Sequence, residues 1–242
     1  MNQKTIIRLV LGIIVAALGA WQMAGHSPSG SGTGSGKQGQ RQHSGQNHSG
    51  AERSGTVGDF DYYVVSLSWS PAYCLTHPQD KRQCGGKGFG FVLHGVWPQK
   101  STGGYPEDCP ATSQPSASAI QKTLAFMPSE KLINHEWTKH GSCTGLSADA
   151  YLELADRAFG SIKIPTGFQA PESSRNLTAD EILSEFSAAN SSFPKDSLAV
   201  KCSGNQLEEV RVCVDPKLKP MSCGKGVRTQ CSRDAVQVRS VR

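Results

Sequence analysis

FDYYVVSLSW, residues Phe60–Trp69, alternates aromatic and β-branched side chains with small or polar ones and reads as a β-strand. Two later stretches carry the same signature: Gly90–Val96 (GFVLHGV) and Glu208–Val214 (EEVRVCV). All three are expected to be neighbours in one sheet. Helical periodicity appears in Ser118–Ala125, Ser129–Lys139, Ala148–Phe159 and Ala179–Ala188, the last preceded by a capping-box pair, Thr178 and Glu181. Strands and helices intermix without a regular βαβ rhythm, and no internal repeat is present. The pattern predicts an α+β fold in which a central antiparallel sheet packs with several helices in a single disulfide-braced domain.

That domain is expected over residues 58–242. Residues 1–25 read as an export signal or N-terminal anchor, because Lys4 and Arg8 precede the apolar run Leu9–Trp21, which is short for a membrane span. Cleavage after Gly19 or Ala20 and retention as an anchor both remain open. Residues 26–57 are Gly, Ser, Gln and His with almost nothing apolar, the composition of a flexible linker. His26, His43 and His48 within it read as solvated linker histidines rather than a metal tract.

The eight cysteines all follow the linker and none forms a C-x-x-C pair, which favours disulfides in an oxidising compartment over zinc ligands or redox thiols. Spacing alone leaves 105 pairings open. The formal charge of +5 suits a polyanionic partner but decides nothing, since many inert exported proteins are as basic.

Chemistry concentrates in two segments. One is F-V-L-H-G-V-W-P-Q, Phe91–Gln99, with His94 near a strand's end; the other is N-H-E-W-T-K-H-G-S-C, Asn134–Cys143. On a helix ending at Gly141, His135, Glu136, Lys139 and His140 fall at roughly 0°, 100°, 40° and 140°, on one side. Glu136 then sits four residues before His140, where a carboxylate favours the imidazolium and orients it. A zinc site of the H-E-x-x-H kind would need the second histidine at i+4, a position held here by Lys139. A solvated helix end would leave His94 unexplained. Acid-base catalysis on a phosphodiester uses every polar residue of both segments: one imidazole accepts a proton, the other donates one, and cations stabilise the phosphorane. With ordinary pKa values of ~6.5, two imidazoles can hold one protonated and one neutral partner in mildly acidic to neutral solution.

The pair H-G-x-W-P and H-E-W-x-K-H-G-S-C resembles the two active-site segments of the ribonuclease T2 family, exported acid ribonucleases of bacteria, fungi and plants. FDYYVVSLSWSPAYC and EEVRVCVD resemble that family's first strand and loop and a later strand, so the likeness covers about residues 57 to 232. Val96 stands where leucine is usual, a small apolar exchange.

The resemblance implies His140 as general base and His94 as general acid, an assignment that is reversible without changing the site. It implies His135 as a phosphate-binding histidine and Glu136 with Lys139 as the transition-state pair. Trp97, with Gln99 and Tyr73, is implied in substrate binding, while Trp69 and Trp137 are expected in the core. It also implies the bridges Cys74–Cys84, Cys109–Cys143, Cys202–Cys231 and Cys213–Cys223.

The expected activity is cleavage of single-stranded RNA to 2′,3′-cyclic phosphates with broad base preference and neither cofactor nor metal. DNA is expected at most as an uncut binder, with no stable protein partner, and the protein as an exported monomer, periplasmic or extracellular. A non-catalytic RNA-binding or signalling protein on the same fold is the rival, expected to lack His94 or His140. The sequons at Asn176 and Asn190 carry weight only in a eukaryotic secretory pathway.

Overall fold

The computed structural model describes residues 55–232 and 235–241. The segment read as an export signal and most of the linker lie outside them. Residues 55–57, read as linker, are joined to the domain: the Gly55 N–H donates to the Glu107 carbonyl at 2.7 Å. No helix among the described residues is long and apolar enough to cross a membrane.

β1 (Tyr62–Trp69) is an inner strand of the sheet, which has six strands among the described residues, with β2 (Phe91–Gln99) on one side at the edge and β5 (Gln206–Val214) on the other. The three strands predicted as neighbours are therefore adjacent. β4 (Leu198–Ser203) pairs antiparallel with β5 through a tight connection, and β3 (Arg175–Leu177) pairs with β6 (Val236–Val238). One expectation needs correction: the sheet is mixed, because β6 meets β5 in parallel at Gln206 and Gln237. The long 215–235 connection makes that crossover possible, whereas a tight hairpin would force the antiparallel arrangement.

β2 also runs past Val96, where the sequence pattern stopped, to Gln99. Pro98 has no N–H to give, but β2 is an edge strand and needs none on its open side. Similarly, the segment after β1, read as loop, is a short helix α1 (Ser70–Thr76), with Pro71 in its first turn, where the missing N–H costs nothing. It is followed by α2 (Lys81–Cys84).

One face of the sheet carries the main core. Tyr63, Val65, Leu67 and Trp69 of β1, with Leu93 and Val96 of β2 and Val210, Val212 and Val214 of β5, pack against three helices. These are α4 (Glu130–Lys139), α5 (Ala148–Gly160) and α6 (Ala179–Ala189), which contribute Ile133, Trp137, Tyr151, Leu152, Ile182 and Phe186. Side chains of this size each contribute roughly 1.5–3 kcal/mol when fully buried. Trp69 and Trp137 both lie in this core, as expected. α3 (Ala117–Thr123) packs beside α4 and α5.

The other face holds a smaller apolar cluster around Tyr62, Val64 and Cys213, with Trp97, Met221 and Val227 at its margin. Next to it the strands turn polar, and there the β1–β2 ladder slips. Ser66 pairs with Gly95 and Leu67 with Leu93, leaving His94 unmatched in a β-bulge. Without the slip, alternation would place His94 with Val96 on the core face. With it, Leu93 and Val96 both reach the core, and His94 is aimed out.

The four disulfides join Cys74 to Cys84, Cys109 to Cys143, Cys202 to Cys231 and Cys213 to Cys223. These are the same four pairs that the resemblance implies. Cys109–Cys143 ties the loop after β2 to the 3-10 turn Gly141–Thr144 that follows α4. The Asp108 N–H reinforces the tie by donating to the Lys139 carbonyl at 2.8 Å.

Candidate functional site

α4 starts cleanly, with the Ser129 hydroxyl accepting from the Leu132 N–H, and ends at Lys139. His140 is its C-cap, at φ −118° and ψ −48°, held by its N–H to the Glu136 carbonyl. The last turn of α4 faces the end of β2, and the histidines of the two motifs meet there on either side of Trp97. The His94 ring centroid lies 5.1 Å from that of Trp97, and the His140 centroid 5.6 Å from it.

Glu136 lies under the pair and is almost fully buried. Its Oε2 accepts from the Trp97 indole N–H at 2.7 Å, and its Oε1 is 3.6 Å from His94 Nε2. The carboxylate fits only because residue 95 is glycine: a Cβ there would stand 2.1 Å from Glu136 Oε2 and 2.4 Å from Trp97 Nε1. The sequence expectation that Glu136 orients His140 is therefore corrected. Gly95 opens a space in β2 toward which Glu136 turns, so its carboxylate serves Trp97 and His94. His140 Nδ1, although buried, has no hydrogen-bond partner among the described residues.

The two imidazoles consequently sit in opposed electrostatic surroundings. Burial pushes the His140 pKa down to about 3, helped by the positive surroundings of Lys139, His135 and His94. Burial also works against a charge on His94, but the hydrogen bond to Glu209 and the carboxylates of Glu136 and Glu209 prevail and raise it above its ordinary value. Two ordinary imidazoles were expected; the structure separates them. Glu136 itself is raised, chiefly by burial.

A cleft of about 460 Å³ is lined by His94, Trp97, Gln99, His135, Glu136, Lys139 and His140, together with Tyr105, Arg211 and Lys225. His135 is exposed. Lys139 Nζ stands 3.3 Å from Glu107 Oε2, a contact that raises its pKa and keeps it charged. Tyr73, the remaining predicted substrate contact, is not in this cleft. It stacks on His77 at 4.2 Å and lines an adjoining cleft of about 480 Å³, which shares His94 and His135 with the first. Among the described residues, no group of three or more His, Cys, Asp or Glu side chains is placed to hold a metal ion.

Three residues of the cleft region were missed in the sequence. Tyr105, half exposed in the loop after β2, has its ring centroid 6.0 Å from that of His140 and carries no local signal. Glu209 and Arg211 did carry one. In EEVRVCV they alternate with Val210 and Val212, so two charges share one face of a strand whose other face is core. Glu209 Oε1 is 2.8 Å from His94 Nδ1, and Arg211 donates to Glu209 Oε2 from Nε at 2.9 Å and from Nη2 at 2.7 Å.

Comparison with known proteins gives a consistent neighbourhood. A model of the ribonuclease T2 family matches residues 60–223. A ribonuclease of Aeromonas hydrophila is 44% identical over 108 residues, covering 44% of this chain and 48% of its own. A probable ribonuclease of Haemophilus influenzae is 32% identical over 178 residues, covering 67% and 61%. The chain thus matches about half to three-fifths of the length of these two relatives. Among solved structures, an RNase-related protein from Calystegia sepium superposes with a TM-score of 0.58 at 21% identity, covering 73% of this chain and 98% of its own. A ribonuclease MC1 variant in complex with 5′-UMP gives a TM-score of 0.59 at 21% identity, covering 72% and 96%. At these identities the superpositions speak for the fold.

Proposed function

The chain belongs to the ribonuclease T2 family, and on that premise we propose that it is an exported, monomeric, metal-independent endoribonuclease of broad base preference. It cuts single-stranded RNA by transphosphorylation. The observation that carries the reading is the pair of imidazoles flanking Trp97, one in surroundings that favour the cation and the other in surroundings that oppose it. A phosphodiester between them meets an acid and a base at once.

Neutral His140 takes the proton of the ribose 2′-OH, and the freed oxygen attacks the phosphorus. His94 gives its Nε2 proton to the departing 5′ oxygen. The products are a 2′,3′-cyclic phosphate and a 5′-hydroxyl end, one proton having been accepted and one donated. Lys139 and His135 supply positive charge and donors to the non-bridging oxygens, and Glu136 faces the same phosphate. Trp97, Tyr105 and Gln99 offer a base two aromatic surfaces and an amide. Stacking of this kind contributes about 1–3 kcal/mol per base and tolerates any base. Export is supported by the four disulfides and by the charged-then-apolar start of the sequence.

Two outcomes follow. Digestion of total RNA proceeds in excess EDTA, and early products carry cyclic termini by mass spectrometry; activity lost to EDTA and restored by zinc contradicts the scheme. The second concerns pH. His140 must be neutral to accept a proton, so kcat/KM falls only as pH drops toward about 3. His94 must be protonated to donate one, so the alkaline limb lies above the ordinary 6.5. Two limbs both centred near 6.5 would mean that the site does not separate its histidines.

A further inference from the structure

We propose that Glu209 is a positioning residue for His94: its carboxylate, clamped by Arg211, takes the Nδ1–H of the imidazole so that the proton offered to the leaving oxygen is the one on Nε2. The inference rests on the reading of His94 as the general acid.

The geometry divides the two oxygens of Glu209 between different partners. Oε2 accepts both Arg211 donors, which fixes the rotamer, and Oε1 is left for His94 at 2.8 Å. Glu209 is 2% exposed, and a carboxylate buried to that degree persists as an anion only when paired. Its position is rigid, because β5 lies between β1 and β4, with Glu209 opposite Ser68 on one side and Lys201 on the other. The bulge at His94 brings the ring over this strand.

A histidine whose Nδ1–H is committed to a carboxylate has only Nε2 left for chemistry, and after giving up that proton it remains in the Nδ1–H tautomer. The other charged groups facing this pair are Glu136, His135, Lys139 and His140 from α4 and its cap, Lys201 from β4 and Arg211 from β5. Lys201 is itself paired with Glu208 at 2.9 Å. Arg211 offsets the second carboxylate beneath a site meant for a phosphate, and its Cζ lies 5.3 Å over the Trp97 ring. The clamp therefore spans from the acid to the aromatic wall of the cleft.

Glu209→Gln keeps the shape and removes the charge. The alkaline limb of kcat/KM is expected to move down by ~1–3 pH units, the effect of losing an opposite charge at contact. In a His94→Ala background the same substitution is expected to add little further loss, because the two act as a unit. On the wild-type protein, ¹⁵N NMR of the imidazole above its titration is expected to find the Nδ1–H tautomer. An unmoved alkaline limb in folded Glu209→Gln, an equal penalty in the His94→Ala background, or a dominant Nε2–H tautomer would each overturn the proposal. Absence of RNA cleavage by the wild type would instead overturn the function, and the tautomer measurement would still decide the role of Glu209.

Discussion

His94→Ala and His140→Ala are each expected to lower kcat by about 10²–10⁴, the usual contribution of one positioned acid or base. The reasons differ at the two positions. The His94 side chain is 36% exposed at a bulge on an edge strand, so its removal leaves little cavity and the sheet keeps its register. It does leave the buried Glu209 without its imidazole partner, which Arg211 partly compensates. His140 is 9% exposed, and truncation opens a small void beside Trp97 and Tyr105. Circular dichroism therefore accompanies the kinetics. His135→Ala and Lys139→Ala cost less, since phosphate-binding charge is shared between them while proton transfer is not. Near-native turnover by folded His94→Ala would return that residue to a structural role.

The alkaline limb of the pH profile and the loss in His94→Ala examine the same residue in different ways. One reads when the proton is present, the other whether it is needed. A site in which His94 served only to order β2 would change stability without shifting either.

Much of the frame was legible because its signals are local. The alternation in FDYYVVSLSW and EEVRVCV survives intact in β1 and β5, and Thr178 with Glu181 forms the capping box at the start of α6. Strands of three residues, such as β3 and β6, are too short for a period to declare itself, and their pairing depends on a crossover far along the chain. The bulge left a trace that only the register interprets: Phe91 and Leu93 keep one phase, Val96 and Pro98 the other, and the slip falls on His94.

The site shows the same division. A helical projection put His135, Glu136, Lys139 and His140 on one side of α4, and all four line one cleft. It could not say where Glu136 points, because the space it enters is made by Gly95 on another element. Nor could it foresee the separation of the two histidines. The carboxylates beside His94 are Glu136 on α4 and Glu209 on β5, far from it along the chain, and His140 is buried with only positive groups as charged neighbours among the described residues, so no sequence window covers either setting.

The attacking oxygen is the centre of the account. Neither motif offers a serine or cysteine nucleophile for displacement: Ser142 is buried with its hydroxyl bound to the Thr138 carbonyl, and Cys143 is in a disulfide. The ribose 2′-OH is already held beside the phosphorus, an advantage comparable to that of a well-oriented intramolecular reaction. In the proposed scheme His135 and Lys139 contact only the phosphate, so DNA or a 2′-deoxy analogue is expected to bind and inhibit without being cut. The most direct measurement uses a single-stranded RNA oligonucleotide carrying one 2′-deoxy nucleotide, digested in EDTA and mapped by mass spectrometry. The account predicts that cleavage fails only at the phosphodiester 3′ to the deoxy position, while every other linkage is cut to a 2′,3′-cyclic end; cleavage at the deoxy position at a rate like its neighbours' would contradict it.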